Sequence, residues 1–257
     1  MRIVTWNVNS LKARLPRVLE LLAELRPDAL CLQETKVAPE AFPNDELARA
    51  GYGAVHASSG RWCGVAILAP LGREPTDPVA ELAGEPAVEG EARWIEATVD
   101  GVRIVSTYVP NGREPDSPWF AQKLGFLDAA VARAKGLAGA APLALCGDLN
   151  IAPSDLDVYD PTGFTTHVTE AERSRFRGLL AAGVVDAYRV LEPQTARYTW
   201  WDYRAGNFHK NLGMRIDHVL VTPDLADRLV ACDIARDYRK GSKPSDHAPL
   251  VCDLRAP

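Results

Sequence analysis

Short apolar runs that end in amide or carboxylate side chains recur along this chain, and they constrain its fold more than any other feature. Asn7 and Asn9 end the first run, and Glu34 ends the second. Asp148 and Asn150 end a later one, beyond a long intervening segment. β-Branched runs of this length indicate strands. Because α/β proteins place their sites at strand ends and in the loops that follow them, these residues are the first candidates for function.

The apolar runs alternate with segments of helical spacing, which predicts a layered α/β fold with two β-sheets packed face to face and helices outside. The predicted strands are Arg2–Trp6, Ala29–Leu32, Gly64–Ala69, Trp94–Val99, Val102–Tyr108, Leu143–Cys146, Ile216–Val221 and Pro249–Leu254. The predicted helices are Leu11–Leu25, Trp119–Ala138, Thr169–Ala182 and Pro223–Leu229. The third of these helices begins with Thr169 and Glu172 at the spacing of a capping box.

The length and composition are those of an ordinary globular domain. The chain has 257 residues, of which 47% are hydrophobic and 25% are charged, and this suits one large domain. The segments Leu71–Gly90 and Asn150–Thr166 are predicted to be loops rather than linkers, because core-forming runs resume on each side of them. We therefore expect a single domain over residues 1–257. The net charge of −5 argues against a protein that coats nucleic acid non-specifically, although a local rim can still be basic.

Cysteine usage and the N-terminal residues bear on where the protein acts. The five cysteines form no Cys-x-x-Cys pair, and an odd number at irregular spacing fits buried, reduced thiols. The N-terminus runs straight into polar residues and offers no secretory segment, and no apolar run is long enough to span a bilayer. We expect a soluble, cytoplasmic protein with no membrane partner.

Two further strands begin, rather than end, with polar groups. Asp217 stands at the start of one, while Asp246 and His247 precede the other. If these strands run antiparallel to the earlier ones, all of the polar ends meet at one edge of the sheets. Tyr108 ends a central strand at the same edge in this arrangement.

Such an edge would gather several oxygen ligands around one imidazole. Oxygen-only ligands favour a hard cation, Mg²⁺ or Mn²⁺, and the lack of Cys or His pairs at zinc spacing disfavours zinc. A cation, a carboxylate base and the imidazolium of His247 are together the groups that hydrolysis of a phosphodiester requires. The oxygen donors are the carboxylates Glu34, Asp148, Asp217 and Asp246 and the amides Asn7, Asn9 and Asn150.

Each of these motifs also has an ordinary structural interpretation. A glutamate at a strand end is usually a solvated cap, Gly-Asp-x-Asn is a common turn composition, and Ser-Asp-His can simply start a strand. Six polar strand ends of this kind nevertheless favour a metal-binding site over six separate structural roles. Clustered negative charges are costly unless a bound cation compensates them.

In order along nearly the whole chain, these motifs resemble those of the exonuclease III-like AP endonucleases of the endonuclease/exonuclease/phosphatase superfamily. The matching segments are Trp6–Asn9, Leu32–Lys36, Tyr108–Gly112, Gly147–Pro153, Tyr198–Arg204, Arg215–Asp217 and Ser245–Pro249. Superfamily relatives that cut inositol phosphates or sphingomyelin share the Asn, Glu, Asp and His positions but not the family-specific segments. The resemblance implies a four-layer α/β sandwich, in which two mixed β-sheets pack face to face with helices outside.

The resemblance implies a metal centre at the strand ends. Glu34 resembles the principal metal ligand of the family, assisted by Asn7, Asn9 and Asp246. The implied cofactor is Mg²⁺ or Mn²⁺, in agreement with the oxygen-rich set of donors.

The resemblance also implies a catalytic group. Asp148 resembles the residue that orients or deprotonates the attacking water, helped by Asn150. Tyr108 and His247 would contact the scissile phosphate. Asp217 would fix the ring of His247 and favour its charged form.

A third group resembles the positions at which the family contacts DNA. Trp200, Met214 and Ile216 would form an apolar pocket for a flipped-out sugar that lacks its base, since flipping is cheapest where no base is stacked. The alternative is that Trp200, Trp201 and Met214 are plain core. Some members of the family carry an aromatic residue at the position of Met214, so this sequence differs from them there. Asn111 and Arg113 resemble residues that hold the DNA around the lesion. Arg204 stands where the family inserts a side chain into the duplex.

The sequence thus predicts a DNA-repair hydrolase that cleaves the phosphodiester 5′ to abasic sites, with 3′-5′ exonuclease and 3′-end-cleaning activity. The expected partner is double-stranded DNA with abasic or damaged 3′ ends, and we expect a monomer without a protein partner. Two alternatives stay open: a related phosphodiesterase acting on RNA or a small phosphodiester, and a catalytically silent DNA-binding module. The remaining histidines are expected to be structural or exposed, namely His56, His167, His209 and His218.

Overall fold

Two six-stranded β-sheets form the centre of the structure, a computed structural model that describes residues 1–60, 62–86 and 90–256. Positions 87–89, within the predicted loop Leu71–Gly90, lie outside the described residues. In chain order the strands are β1 Arg2–Asn7, β2 Ala29–Gln33, β3 Tyr52–Ala57, β4 Val65–Pro70, β5 Thr76–Val79, β6 Trp94–Val99, β7 Val102–Tyr108, β8 Leu143–Asp148, β9 Val185–Asp186, β10 Asp217–Val221, β11 Leu229–Ile234 and β12 Leu250–Leu254.

Both sheets are mixed. The first has the strand order β11-β12-β1-β2-β4-β3, and the second has the order β5-β6-β7-β8-β10-β9. In each sheet one neighbouring pair is parallel, β1 with β2 and β7 with β8, and the other pairs are antiparallel. A parallel pair needs a crossover connection, and a long helix supplies it in both sheets.

The two crossover helices are α1 and α3. Ser10 caps the start of α1, and the helix ends where Arg26 adopts a left-handed conformation just before Pro27. Ser117 caps α3 in the same way, with Pro118 at the first helical position. In chain order the helices are α1 Leu11–Leu25, α2 Asn44–Arg49, α3 Pro118–Ala138, α4 Glu170–Ala181, α5 Ala187–Leu191, α6 Asn207–Lys210 and α7 Pro223–Ala226.

The hydrophobic core is divided into layers by the two sheets. Between the sheets, alternate residues of both inner faces pack together, including Ile3, Ile67, Ile104 and Val219. The helix α1 covers the outer face of the first sheet, while α3 and α4 cover that of the second. The central strands therefore bury both of their faces, which explains their nearly continuous apolar runs in the sequence. The predicted four-layer sandwich is confirmed.

The strand directions bring the polar ends to a common edge. The strands β1, β2, β7 and β8 all finish there, and β10 starts there because it runs antiparallel to β8. Tyr108, Asp148 and Asp217 lie abreast on three neighbouring strands, since Asp148 is the register partner of both of the others. The antiparallel arrangement that the sequence analysis assumed for β10 and β12 is correct.

Four strands were missed by the sequence analysis. The segment Leu71–Gly90 was predicted to be a loop, but it contains β5, an exposed edge strand with Pro78 inside it. The predicted helix Pro223–Leu229 ends at Ala226, and Leu229 already belongs to β11. The strands β3 and β9 were also overlooked. All four are outer strands or two-residue pieces, so they carry a weaker apolar signal than central strands do.

Among the described residues, none of the helices combines the length and the apolar character that crossing a lipid bilayer would require.

The capping box predicted at the start of α4 is present, and it provides a test of this part of the fold. The Thr169 hydroxyl accepts from the Glu172 backbone N–H, and the Glu172 carboxylate accepts from the Thr169 backbone N–H. We expect Thr169→Ala to lower the free energy of unfolding by about 1 kcal/mol, because an N-terminal N–H loses its acceptor. Urea denaturation measures this loss. Thr169→Ser keeps the hydroxyl and is the control, so an equal loss in both variants would contradict the capping role.

Candidate metal-dependent active site

The turns that follow the strands use unusual backbone conformations. Asn9, Glu34 and Asn150 adopt positive φ values of 44°, 50° and 52°. Such values are costly for a glutamate, and they concentrate at functional sites. Gly147 precedes Asp148 at a φ of 149°, and a Cβ at this position would lie 2.0 Å from the Thr107 carbonyl oxygen. The close approach of β7 and β8 at this point therefore requires glycine.

One buried amide joins the carboxylates of the two sheets. The Asn7 Nδ2 group donates to Glu34 Oε1 at 2.8 Å and to Asp148 Oδ2 at 2.9 Å. Glu34 follows a strand of the first sheet, and Asp148 ends a strand of the second. Ligating atoms of Glu34, Asp148 and His247 all lie within 4.8 Å of one another. The acidic groups that the sequence placed at separate strand ends thus converge on one point.

His247 is held between two carboxylates. Its Nδ1 lies 2.8 Å from Asp217 Oδ2, and its Nε2 lies 3.7 Å from Asp148 Oδ2. Burial opposes the charged ring, but the negative charges of Asp217 and Asp148 outweigh it and raise the pKa of His247 to about 10. The ring is therefore an imidazolium at neutral pH, and an imidazolium cannot ligate a metal. It can donate to an anionic oxygen instead.

Asp148 is the most perturbed carboxyl of the site. Burial raises its pKa to about 7, the charges of Asp217 and Glu34 act in the same direction, and His247 opposes them. Its Oδ1 accepts from the Asn150 backbone N–H at 2.9 Å. A carboxyl with a pKa near neutrality, fixed by two donors, has the properties of a general base.

The oxygen atoms beside Glu34 already surround a positive charge. The Lys36 ammonium lies 2.6 Å from Glu34 Oε2 and 2.7 Å from Asn9 Oδ1. Asn9 also donates to Asp246 Oδ1 at 3.0 Å. Carboxylate and amide oxygens that converge on a cation match the ligand preference of Mg²⁺ or Mn²⁺. The donor set of this site therefore fits a hard divalent ion.

Tyr108 forms the wall between the site and a neighbouring cleft. The Arg93 guanidinium lies over its ring, 4.7 Å from the centroid. Burial and the charge of Glu34 raise the pKa of Tyr108 well above its usual value. The hydroxyl is consequently a neutral donor throughout the physiological pH range.

An open cavity of about 350 Å³ adjoins the carboxylates. Trp200, Met214 and Ile216, predicted to form an apolar pocket, line one side of it, and Phe164 lines it as well. Met214 and Ile216 are themselves buried against Ala152. The core interpretation and the pocket interpretation of these residues are thus both partly right, because their outer surfaces form the wall of the cavity.

Two of the three predicted duplex-holding residues are brought together, and the third lies apart. Asn111 lines both the cavity and the neighbouring cleft, and its Oδ1 accepts from the Arg113 backbone N–H at 3.1 Å. Arg113 lines the neighbouring cleft, where its guanidinium stacks on Trp119 at 4.2 Å from the ring centroid. Arg204 has a side chain 87% exposed, pairs with Asp202 and does not line the cavity.

His167, which the sequence analysis expected to be structural or exposed, is a wall of the cavity. Its Nε2 lies 3.0 Å from Asn150 Oδ1 and 3.3 Å from Asn111 Nδ2. The Asn150 Nδ2 group donates to the Val109 carbonyl, so its Oδ1 is the acceptor and His167 Nε2 carries the proton. Burial, together with the charge of Lys123, lowers the pKa of His167 well below its usual value and keeps the ring neutral.

A buried ion pair supports this wall from behind. Lys123 on α3 pairs with Glu172 on α4, and both side chains are fully buried. The Lys123 ammonium also donates to the Asn150 carbonyl at 2.7 Å, and Glu172 accepts from the His167 backbone N–H at 2.8 Å. Neither residue was predicted to be near the site. Apolar periodicity could not reveal them, because both are charged residues that lie on the buried faces of their helices.

With this geometry established, the comparison with known proteins is informative. The family model described as the endonuclease/exonuclease/phosphatase family matches residues 4–247. An exodeoxyribonuclease III from Haemophilus influenzae is 32% identical, over 99% of this chain and 100% of that protein. The chain belongs to this family.

Solved structures place it on the same branch. A 3′ phosphatase from Neisseria, bound to a product DNA hairpin, has a TM-score of 0.96 and 39% identity, covering 100% of both chains. An AP endonuclease from Archaeoglobus fulgidus has a TM-score of 0.93 and 38% identity, again over 100% of both chains. The predictions of an exonuclease III-like family member, a hydrolase and a DNA-repair nuclease are confirmed. The protein is a metal-dependent nuclease whose substrate is DNA.

The charge state of His247 can be tested without any substrate. In the metal-free protein we expect its ring to titrate near pH 10, as followed by NMR of histidine-labelled protein. Asp217→Asn should lower this pKa because it removes the largest stabilising charge. His167, which stays neutral, is an internal control in the same spectra. A titration of His247 at its ordinary value of 6.5 would contradict the charged form.

Proposed function

We propose that this family member hydrolyses the phosphodiester 5′ to abasic sites in double-stranded DNA and also cleans damaged 3′ ends. The observation that carries the proposal is the joining of Glu34 and Asp148, from different sheets, by the single amide of Asn7 beside the imidazolium of His247. A phosphate placed here meets a cation site, a base and a fixed positive charge.

The divalent ion would be held mainly by Glu34, with Asn7, Asn9 and Asp246 assisting. When bound, it neutralises the charge of the phosphate and polarises the bond under attack. The ion is Mg²⁺ or Mn²⁺ in this proposal, since the donors are carboxylate and amide oxygens and the imidazole beside Asp148 and Asp217, that of His247, is protonated. Besides assisting the ion, Asn7 fixes the distance between the Glu34 and Asp148 carboxylates, because its side-chain N–H groups donate to both.

Asp148 is the proposed base. Its Oδ2 faces the centre of the site and would accept a proton from the attacking water. Asn150 fixes the other carboxylate oxygen through its backbone N–H, and its side-chain amide is oriented by the Val109 carbonyl. Because the pKa of Asp148 is raised to about 7, the carboxylate is a stronger base than an ordinary aspartate.

His247 and Tyr108 are the proposed donors to the phosphate oxygens. His247 offers Nε2–H, since Nδ1–H is engaged by Asp217. Tyr108 and Asp148 are register partners on adjacent strands, so the hydroxyl and the base are positioned by the same ladder. Fixed donors of this kind stabilise the negative charge that develops as the bond breaks.

The adjoining cavity is the proposed position of the sugar that lacks a base. Trp200, Met214 and Ile216 give it an apolar wall, and a residue with no stacked base is the cheapest to turn out of the helix. The side chains proposed to hold the flanking duplex are Asn111, Arg113 and Arg204.

Activity at 3′ ends is supported by the relatives. The Neisseria protein that shares 39% of its residues is described as a 3′ phosphatase and, in a second structure, as a 3′-5′ exonuclease. A terminal phosphate and an internal phosphodiester present the same phosphoryl group to the base and the cation site, so one set of residues can act on both.

We further propose a single domain that acts as a monomer in the cytoplasm, without a protein partner. All five cysteines are buried and unpaired, which fits a reducing compartment. The layered core is continuous between the sheets, which supports one domain rather than two.

The substrate is tested by comparing four substrates: duplex DNA with one abasic site, duplex ending in a 3′-phosphate, intact duplex and RNA. We expect Mg²⁺-dependent cleavage of the first two that chelator abolishes, with much slower cleavage of intact duplex and RNA. Repeating the assay with Mn²⁺ in place of Mg²⁺ shows which ion supports faster cleavage. Equal cleavage of all four would remove the lesion-specific proposal, and no cleavage of any would favour a silent DNA-binding module.

The role of the base is tested by Asp148→Asn. We expect turnover of the abasic duplex to fall roughly 1,000-fold or more. Binding to DNA and the thermal midpoint should change little, since the amide keeps the shape of the carboxylate. The control is Asp128→Asn, which removes a carboxylate from an exposed ion pair with Arg175 on the helical face of the molecule. A variant of Asp148 that retains near-parent turnover would show that another group is the base.

A further inference from the structure

Trp200 contacts both the cavity and a carboxylate of the metal site. Its ring lines the cavity, while its indole N–H donates to Asp246 Oδ2 at 3.1 Å. The first contact is the proposed role in DNA recognition. The second contact joins the same indole to Asp246, which also lines the cavity and belongs to the proposed metal site.

The backbone fixes the ring in this position from two sides. Trp200 exchanges two hydrogen bonds with Met214, of 2.9 and 3.0 Å. Its neighbours bond to the segment that carries Asp246, with the Trp201 N–H on the Asp246 carbonyl at 3.1 Å and the Ala248 N–H on the Thr199 carbonyl at 2.7 Å. The indole N–H therefore meets Asp246 as a consequence of the local strand pairing.

Asp246 has a neutral donor on each of its oxygens. Asn9 Nδ2 donates to Oδ1 at 3.0 Å, and Trp200 donates to Oδ2. Two donors on opposite sides fix the plane of a carboxylate and leave each oxygen a lone pair for a cation. Asn9 follows β1, the strand that pairs with β12, whereas the indole belongs to the wall of the cavity and is the donor that ties Asp246 to that wall.

We propose that Trp200 is a positioning residue for the metal site, acting through its hydrogen bond to Asp246. The inference rests on the proposed function, in which Asp246 assists Glu34. Groups that orient a metal ligand through hydrogen bonds contribute substantially to metal affinity, although they do not touch the ion.

The test is Trp200→Phe, which keeps an aromatic wall and removes only the indole N–H. Mn²⁺ and Mg²⁺ binding to the metal-free protein is measured by isothermal titration calorimetry with no DNA present. We expect Kd for the ion to rise about 10-fold. The control is Trp201→Phe, because the Trp201 indole donates to Asn211 at 3.3 Å, away from the carboxylates. This control should bind the ion as the parent does.

A double-mutant cycle shows whether Trp200 acts through Asp246. Asp246→Asn should weaken ion binding, and adding Trp200→Phe to it should weaken binding no further. Equal ion affinity in the parent and Trp200→Phe would overturn the inference. So would a fully additive loss in the double variant, because that result would mean that the two residues act independently.

A second measurement separates this inference from the proposed function. Binding of abasic duplex in the presence of chelator should be nearly the same for the parent and Trp200→Phe, since the ring remains. A variant that loses DNA binding but keeps ion affinity would show that Trp200 is only a wall of the cavity. A parent that binds no divalent ion would overturn the metal site and the inference together, whereas a parent that binds the ion but cuts no DNA would overturn only the proposed function.

Discussion

The contact on which the whole site depends is the donation of one buried amide, that of Asn7, to two carboxylates that belong to different sheets. Two acidic groups out of water repel each other and lose hydration, so they remain close only if donors and cations compensate them. Asn7 supplies donors without adding charge, and His247 and Lys36 supply positive charge on either side. The same balance accounts for two upward shifts in pKa, that of Asp148 because the carboxyl is buried and that of His247 because the ring is surrounded by anions. The basicity of Asp148 and the positive charge of His247 thus both follow from the close packing of these carboxylates.

The fold makes this arrangement available because both sheets contain a parallel pair joined by a helix. Each crossover returns the chain to the same end, so four strands finish at one edge and deliver Asn7, Glu34, Tyr108 and Asp148 there. The antiparallel strand β10 contributes its first residue, Asp217, at the same level as Asp148. The connection that follows β8 then closes over the edge, with His167 and Phe164 on the wall of the cavity. Rigid strands therefore carry the reacting groups, and a loop shapes the space beside them.

The sequence predicted the parts of this molecule that depend on central strands. Their apolar runs are long because both faces are buried, and their polar ends are conspicuous against that background. The capping box at Thr169 was equally readable, since its spacing has a local physical cause. Edge strands such as β5 were missed because exposed residues lack periodic patterning. The support formed by His167, Lys123 and Glu172 was missed for a different reason: it arises from packing between elements distant in sequence, and no local pattern encodes it.

The register between β8 and β10 has an evolutionary implication. Asp148 and Asp217 face each other across an antiparallel ladder, and a slip of one residue would turn each side chain to the opposite face. Insertions within these strands would therefore abolish chemistry at once. Residues 163–165, within the connection between them, are under no such restriction, because they line the cavity but contribute no residue to the ladder. A lineage can thus diversify which damaged ends fit beside Trp200 by remodelling these residues, while the groups that break the bond stay unaltered.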